Sequence, residues 1–230
     1  FFVQKRDPGA EQWTGIRLGT DGVKEKLKIT QVFNGADFNK YPISFHKFSQ
    51  ILLNGFSPDM DRKQTRGEGL YALMNQFIAK SGYTDSLVNK GKFNTGLYYK
   101  LTAQLREIKT EEEIVLLRKA VEISCNGQVE VMKAVKPDMS EREIQGLHEF
   151  VHKKYGAEEV GYPSIVGAGN NGCVLHYQEN NDLHVANRMV LMDVGAQYHG
   201  YTADVTRTIP ANGKFTAEQK LIYQLVYDAQ

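Results

Sequence analysis

Cysteine is scarce in this chain. Only Cys125 and Cys173 occur among 230 residues, too few for a disulfide framework, and their separation makes no metal knuckle. Two such thiols fit a reduced, cytoplasmic setting. Long apolar runs are missing as well: no stretch approaches the roughly 20 residues that cross a bilayer, which argues against a membrane span. Nor is there an excess of either charge. The 28 Lys+Arg against 27 Asp+Glu leave a net +1, which offers no electrostatic footing for nucleic acid or an anionic membrane. The chain also lacks an initiator Met. It opens FFVQKRDPG, read as a strand running into a turn, and closes LIYQLVYDAQ, an amphipathic helix without a Gly or Pro stop. The expectation is that both ends continue. What remains, 41% hydrophobic and 24% charged residues, is an ordinary globular composition with room for two modest domains.

Residues 1–107 mix short apolar runs with turn signals. The stretch DFNKYPISFHKFSQILLNG can hold a helix, and GKFNTGLYYKLTAQL ends in one. No pattern of chemistry is legible there. From Thr110 the signals sharpen. Thr110 with Glu113, and Ser140 with Glu143, form capping boxes that start two helices. Ile114, Leu117, Val121, Cys125, Val129 and Met132 predict the apolar stripe of the first helix; Ile144, Leu147, Val151 and Tyr155 predict that of the second.

The second helix contains His148-Glu149-x-x-His152. Two histidines four apart share a helical face and can grip one zinc ion while the glutamate handles a water. The plainer reading is two surface histidines beside an apolar stripe. It is preferred, because a zinc site needs a further ligand and no pattern singles out Glu158, Glu159 or Glu179.

After Val160 the chain turns to strands and glycine turns. Met189-Val190-Leu191-Met192 leads straight into Asp193, which places a carboxylate in a strand whose neighbours prefer burial. Asp204 sits likewise between Ala203 and Val205. A hairpin centred between Tyr198 and His199 sets the two aspartates directly opposite, with Cβ atoms about 4.5–5.5 Å apart. Like charges so placed call for a cation. Arg207, three residues from Asp204, alternates to the other face, which leaves a metal as the better neutraliser. Two carboxylates bridging ions about 3.5–4 Å apart suit a two-metal hydrolase, against the alternative of aspartates that cap turns or face solvent.

The stretches VGYPSIVGAGNNGCVLHYQEN and LMDVGAQYHGYTADVTRTIPANGKFTAEQKLIY resemble the catalytic domain of the aminopeptidase P (Xaa-Pro aminopeptidase) family, pita-bread metallopeptidases that also include prolidase and methionine aminopeptidase. IKTEEEIVLLRKAVEIS resembles the helix that opens that domain. The resemblance implies an α/β (α+β) chain: a small N-terminal creatinase/prolidase-like domain over 1–107, then the first half of a pita-bread catalytic domain over 108–230.

It further implies that Asp193 and Asp204 ligate two Mn²⁺ ions, that His176 hydrogen-bonds substrate and steadies the oxyanion, and that Tyr162 lines the substrate cleft. Cys173, though it forms C-x-x-H with His176, is read as packing, since carboxylate-rich ligation favours hard ions. The implied substrate is a peptide with proline at its second position, and the implied assembly a homo-oligomer. A dipeptide-restricted prolidase and a non-catalytic pita-bread binding module are the alternatives. The family uses five metal ligands, and beyond Asp204 this chain offers only the carboxylates Glu218 and Asp228 and no histidine. The expectation is therefore weak metal binding by this chain alone.

Overall fold

The computed structural model describes residues 1–57 and 69–230, which divide into two units, Phe1–Ile108 and Lys109–Gln230. In the first, β1 (Phe2–Val3), α1 (Pro8–Thr14), α2 (Gly19–Leu27), β2 (Phe33–Asn34), β3 (Ile51–Leu52), α3 (Leu70–Ser81), β4 (Phe93–Asn94) and α4 (Thr95–Glu107) surround two small parallel ladders, β1 with β2 and β3 with β4. Two sequence expectations fail here. RDPG is no turn: Asp7 accepts from the Gly9 and Ala10 amides and caps α1, with Pro8 in the first helical turn, where its missing N–H costs nothing. DFNKYPISFHKF forms two 3₁₀ turns, Gly35–Lys40 and Phe45–Lys47, rather than a helix. Pro42 interrupts the run, and Phe38 with Tyr41 pack on Phe2 instead of along a helical stripe.

The second unit is the α/β body that carries the candidate site. Helices α5 (Glu111–Ala134) and α6 (Glu141–Lys154) each begin at the expected capping box, complete in both directions. After β5 (Glu159–Val160) and β6 (Ile165–Ala168) come a 3₁₀ turn (Gly169–Cys173), then β7 (Met189–Val194), β8 (Ala196–Tyr198), β9 (Tyr201–Thr202), β10 (Val205–Pro210) and α7 (Ala217–Ala229). One antiparallel sheet runs in the order β10-β7-β6 and a smaller one in the order β5-β8-β9.

Strand alternation gives the larger sheet two unlike faces. Val190, Met192 and Val194 of β7 are buried, and the first two join Val131, Ile144, Val166 and Val185 in the core beneath α5 and α6. At about 1.5–3 kcal/mol for each fully buried aliphatic side chain, this layer anchors the unit. Met189, Leu191 and Asp193 point the other way and are half-buried. A groove of about 900 Å³ lies on that side, lined by Met189, Thr206 and Thr208 and by Ile222 and Tyr223 of α7, a helix with no buried residue.

The helix stripes are only partly as the spacing predicts. In α6, Ile144 and Val151 are buried, but so are Glu141, His148 and His152, so the two histidines are core groups and not surface ones. In α5 the predicted stripe faces outward from Val121 on: Val121, Val129 and Met132 are 44%, 46% and 41% exposed and Cys125 is exposed too, while Ile114 and Leu117 are half-buried. The buried face is Ala120, Ile123, Ser124, Gly127, Gln128 and Val131. Close approach explains the exchange. A Cβ on Gly127 would stand 2.7 Å from His152 Nε2 and 3.2 Å from His148 Nδ1, so α5 must offer small groups where the α6 rings press against it.

Candidate metal centre

The hairpin turns at His199-Gly200, with φ of 49° and 82°. Both values are positive, the signature of the two-residue turn whose twist suits a hairpin, and glycine takes the second place without strain. The predicted centre, one residue earlier, would have forced Tyr198 into the left-handed region. Moving it changes the pairing by two. Asp193 stands opposite Thr206, not Asp204, which falls one residue beyond the last ladder pair, Val194 with Val205. A shift of two keeps the face, so both carboxylates still lie on the open side of the sheet. Neither is deeply buried: Asp193 is half-buried and Asp204 exposed.

Asp204 falls in a gap in the ladder. Strand β7 ends at Val194 and β10 begins at Val205, and between them Gly195 meets Ala203. A Cβ on Gly195 would sit 1.9 Å from the Ala203 carbonyl oxygen and 2.9 Å from the Tyr162 ring. Only glycine lets these groups close around the site.

Tyr162, in the bend between β5 and β6, joins the carboxylates. Its hydroxyl donates to Asp193 Oδ1 at 2.5 Å and lies 3.2 Å from Asp204 Oδ1. Burial, followed by the hydrogen bond to Asp193 and the two carboxylate charges, raises the phenol well above the usual tyrosine range, so it stays protonated. A phenol has one proton and can satisfy only one carboxylate at a time. Among the described residues neither aspartate has a Lys, Arg or His within ion-pair distance. Arg207 is exposed and donates to the Thr206 carbonyl instead.

The donor set therefore consists of two carboxylates converging on one hydroxyl, oxygen ligands that fit a hard divalent ion. No group of three or more His, Cys, Asp or Glu that could hold a metal occurs among the described residues. His176 is not drawn into the cluster. It stands exposed in the turn after Gly169–Cys173 and has no recorded hydrogen bond to Tyr162, Asp193 or Asp204.

Its neighbour Tyr177 is anchored firmly. The buried Glu141 carboxylate accepts from Tyr177 Oη and the Asp182 amide through one oxygen, and from the Ala168 amide and Asn171 Nδ2 through the other. Four donors satisfy a carboxylate that would otherwise be costly to bury. Glu141 was missed because, in Ser-Glu-Arg-Glu, it reads as an exposed first-turn acid.

His148 and His152 form no metal site. Their ring centroids are 6.0 Å apart, and Glu149 bonds Gln145 and Ser164. His148 Nε2 lies 3.4 Å from Met192 Sδ, and the other three ring nitrogens have no hydrogen-bond partner among the described residues. Burial, with a smaller contribution from His152, pushes His148 down to about 3. His152 is also lowered by burial, against the opposing charge of Glu149.

A helix-backed antiparallel sheet whose open face gathers paired aspartates has the features of a metal-dependent hydrolase, and comparison with known proteins agrees. Residues 115–230 match metallopeptidase family M24. The chain belongs to that family. Over 99% of its length it is 35% identical to the Xaa-Pro aminopeptidase of Escherichia coli K12, and over its whole length 42% identical to a probable Xaa-Pro aminopeptidase of Aspergillus fumigatus. It spans about half the length of these relatives, 50% and 46%. Among solved structures it is similar to aminopeptidase P from E. coli (TM-score 0.78, 30% identity, 99% of this chain and 50% of that one). It is also similar to proline aminopeptidase P II from Yersinia pestis (TM-score 0.79, 31% identity, with the same coverage). Membership in a metallopeptidase family brings divalent-metal chemistry with it.

Proposed function

We propose that the chain carries the aspartate half of the metal centre of an exopeptidase that releases the N-terminal residue from peptides with proline at the second position. The observation that carries this reading is the convergence of Asp193 and Asp204 on the Tyr162 hydroxyl without a balancing cation among the described residues. Asp193 and Asp204 would hold the ions. Two Mn²⁺, when bound, supply a water of lowered pKa and polarise the scissile carbonyl. Tyr162, kept protonated, remains a donor that fixes the direction of the Asp193 carboxylate. His176, open to solvent beside the anchored Tyr177, offers an imidazole N–H to the carbonyl oxygen as it gains charge. The cytoplasmic setting rests on the free thiols Cys125 and Cys173.

The test is a substrate panel on the full-length polypeptide, Ala-Pro against Ala-Pro-Ala, with and without Mn²⁺. Metal-dependent release of alanine from the tripeptide supports the reading. Cleavage of the dipeptide alone makes the enzyme a prolidase, and cleavage of neither leaves a binding module. The 230-residue chain alone, with two carboxylates and no third ligand gathered beside them among the described residues, should bind Mn²⁺ weakly. Tight stoichiometric binding by calorimetry would contradict the ligand count.

A further inference from the structure

Gln128 occupies the centre of the inner face of α5 and is 3% exposed, in a position where core helices ordinarily carry aliphatic residues. Its Nε2 reaches two backbone carbonyls of the sheet, Val205 O at 2.9 Å and Met192 O at 3.3 Å. Because carbonyls only accept, these contacts fix which end of the carboxamide faces the strands. Its Oε1 is left buried without a hydrogen-bond partner among the described residues. Such an arrangement calls for an explanation, since the carboxamide brings into the core a buried oxygen without a partner that an apolar side chain of the same length would not carry.

The two carbonyls supply one. Met192 immediately precedes Asp193, and Val205 immediately follows Asp204. The strand ladder that would tie these segments together stops at Val194 and Val205, so Asp204 itself lies outside the β7–β10 pairing. One turn earlier on α5, Ser124 Oγ accepts from the Ala196 amide and secures the hairpin beyond the gap. Gln128 thus bridges the two aspartate-bearing segments from behind, at the point where the sheet no longer does.

We propose that Gln128 is a positioning residue for the metal centre: its carboxamide N–H₂, held by both carbonyls, sets the separation of Asp193 and Asp204 on the opposite face. The proposal rests on the reading of those aspartates as metal ligands. Outer contacts of this kind typically contribute about tenfold to a hundredfold in metal affinity.

The experiment uses the full-length polypeptide and compares Gln128→Met, Ser124→Ala and Asp204→Asn. Mn²⁺ affinity is read by calorimetry and stability by thermal unfolding of the metal-free protein. Gln128→Met keeps the length of the side chain and removes both donors. It should weaken Mn²⁺ binding by about tenfold or more. Ser124→Ala, which loses one α5–sheet bond away from the carboxylates, should lower the unfolding temperature while keeping wild-type affinity.

Wild-type affinity in Gln128→Met overturns the proposal, as does an equal loss in Ser124→Ala, which would reduce the effect to general loosening. Wild-type affinity in Asp204→Asn brings down the ligand reading itself, and the proposal with it. Should the Met variant fail to fold, Gln128→Asn, whose shorter arm cannot span both carbonyls, takes its place with the same outcomes.

Discussion

Asp193 and Asp204 converge on one hydroxyl, that of Tyr162, whose single proton can serve only one of them at a time. Charge facing charge is a cost the metal-free chain carries, and relief of that cost should separate stability from function.

Asp204→Asn removes one of the two charges while keeping the shape of the side chain. The metal-free chain should become slightly more stable, with an unfolding temperature higher by about 1–3 °C. The full-length polypeptide should at the same time lose Mn²⁺-dependent activity. A fall in the unfolding temperature would mean that the carboxylates are not in conflict.

Gly195→Ala should be among the most damaging single-methyl additions in the chain. The new Cβ would overlap the Ala203 carbonyl at 1.9 Å, and backbone cannot swing aside as a side chain can. A loss of about 3 kcal/mol or more is expected, with the Asp204 segment displaced. Gly200→Ala is the control: it has a positive φ but nothing within 4 Å, and should cost only about 1 kcal/mol. Urea unfolding of the two variants side by side gives the comparison.

The buried histidines predict an acid-labile unit. Above pH 6.5 His148 is neutral whether folded or unfolded and contributes no pH dependence. Below it the unfolded chain takes up a proton that the folded one refuses until about pH 3, so stability falls as pH falls across that window. The slope from His148 alone is about 1.4 kcal/mol per pH unit, and His152, shifted in the same direction, steepens it. His148→Leu should flatten the dependence of the urea midpoint on pH between 6.5 and 4. An unchanged slope would show that other groups dominate.

Glu141→Gln replaces an acceptor of four hydrogen bonds with a group that turns an N–H₂ toward donors. A loss of about 3 kcal/mol is expected. The loop that ends in His176 and Tyr177 should loosen, which amide exchange at Ala168 and Asp182 would report.

Much of this was legible in the sequence because it obeys local rules. The capping boxes at Thr110 and Ser140 start their helices as written. The alternation around Asp193 and Asp204 put both carboxylates on one face even though the pairing was misjudged, because an error of two residues preserves the face. The turn itself depends on φ signs, which favoured His199-Gly200 over the earlier centre.

The α5 and α6 faces were misread for a physical reason. Apolar spacing identifies a core when the core is apolar, but here α5 turns Ser124, Gly127 and Gln128 inward and α6 turns Glu141, His148 and His152 inward. The partners that make those polar groups acceptable inside, the Ala196 amide, the Met192 and Val205 carbonyls and the Ala168 amide, lie 27 to 77 residues away in the chain. No window of helical length contains them. A small-and-polar row at Ala120, Ser124, Gly127 and Gln128 was the available signal.

The strict inside-outside alternation of β7 also limits how this chain can change length. Losing or gaining one residue between Met189 and Asp193 would turn the carboxylate into the packed interior and push Met192 out to water, so that strand tolerates replacement but not insertion. An added pair of residues at the His199-Gly200 tip would leave each side chain on its own face yet lengthen the β8–β9 arm. Variation in length should therefore collect at the tip of the hairpin, the part of the unit farthest from the aspartates along the chain between them.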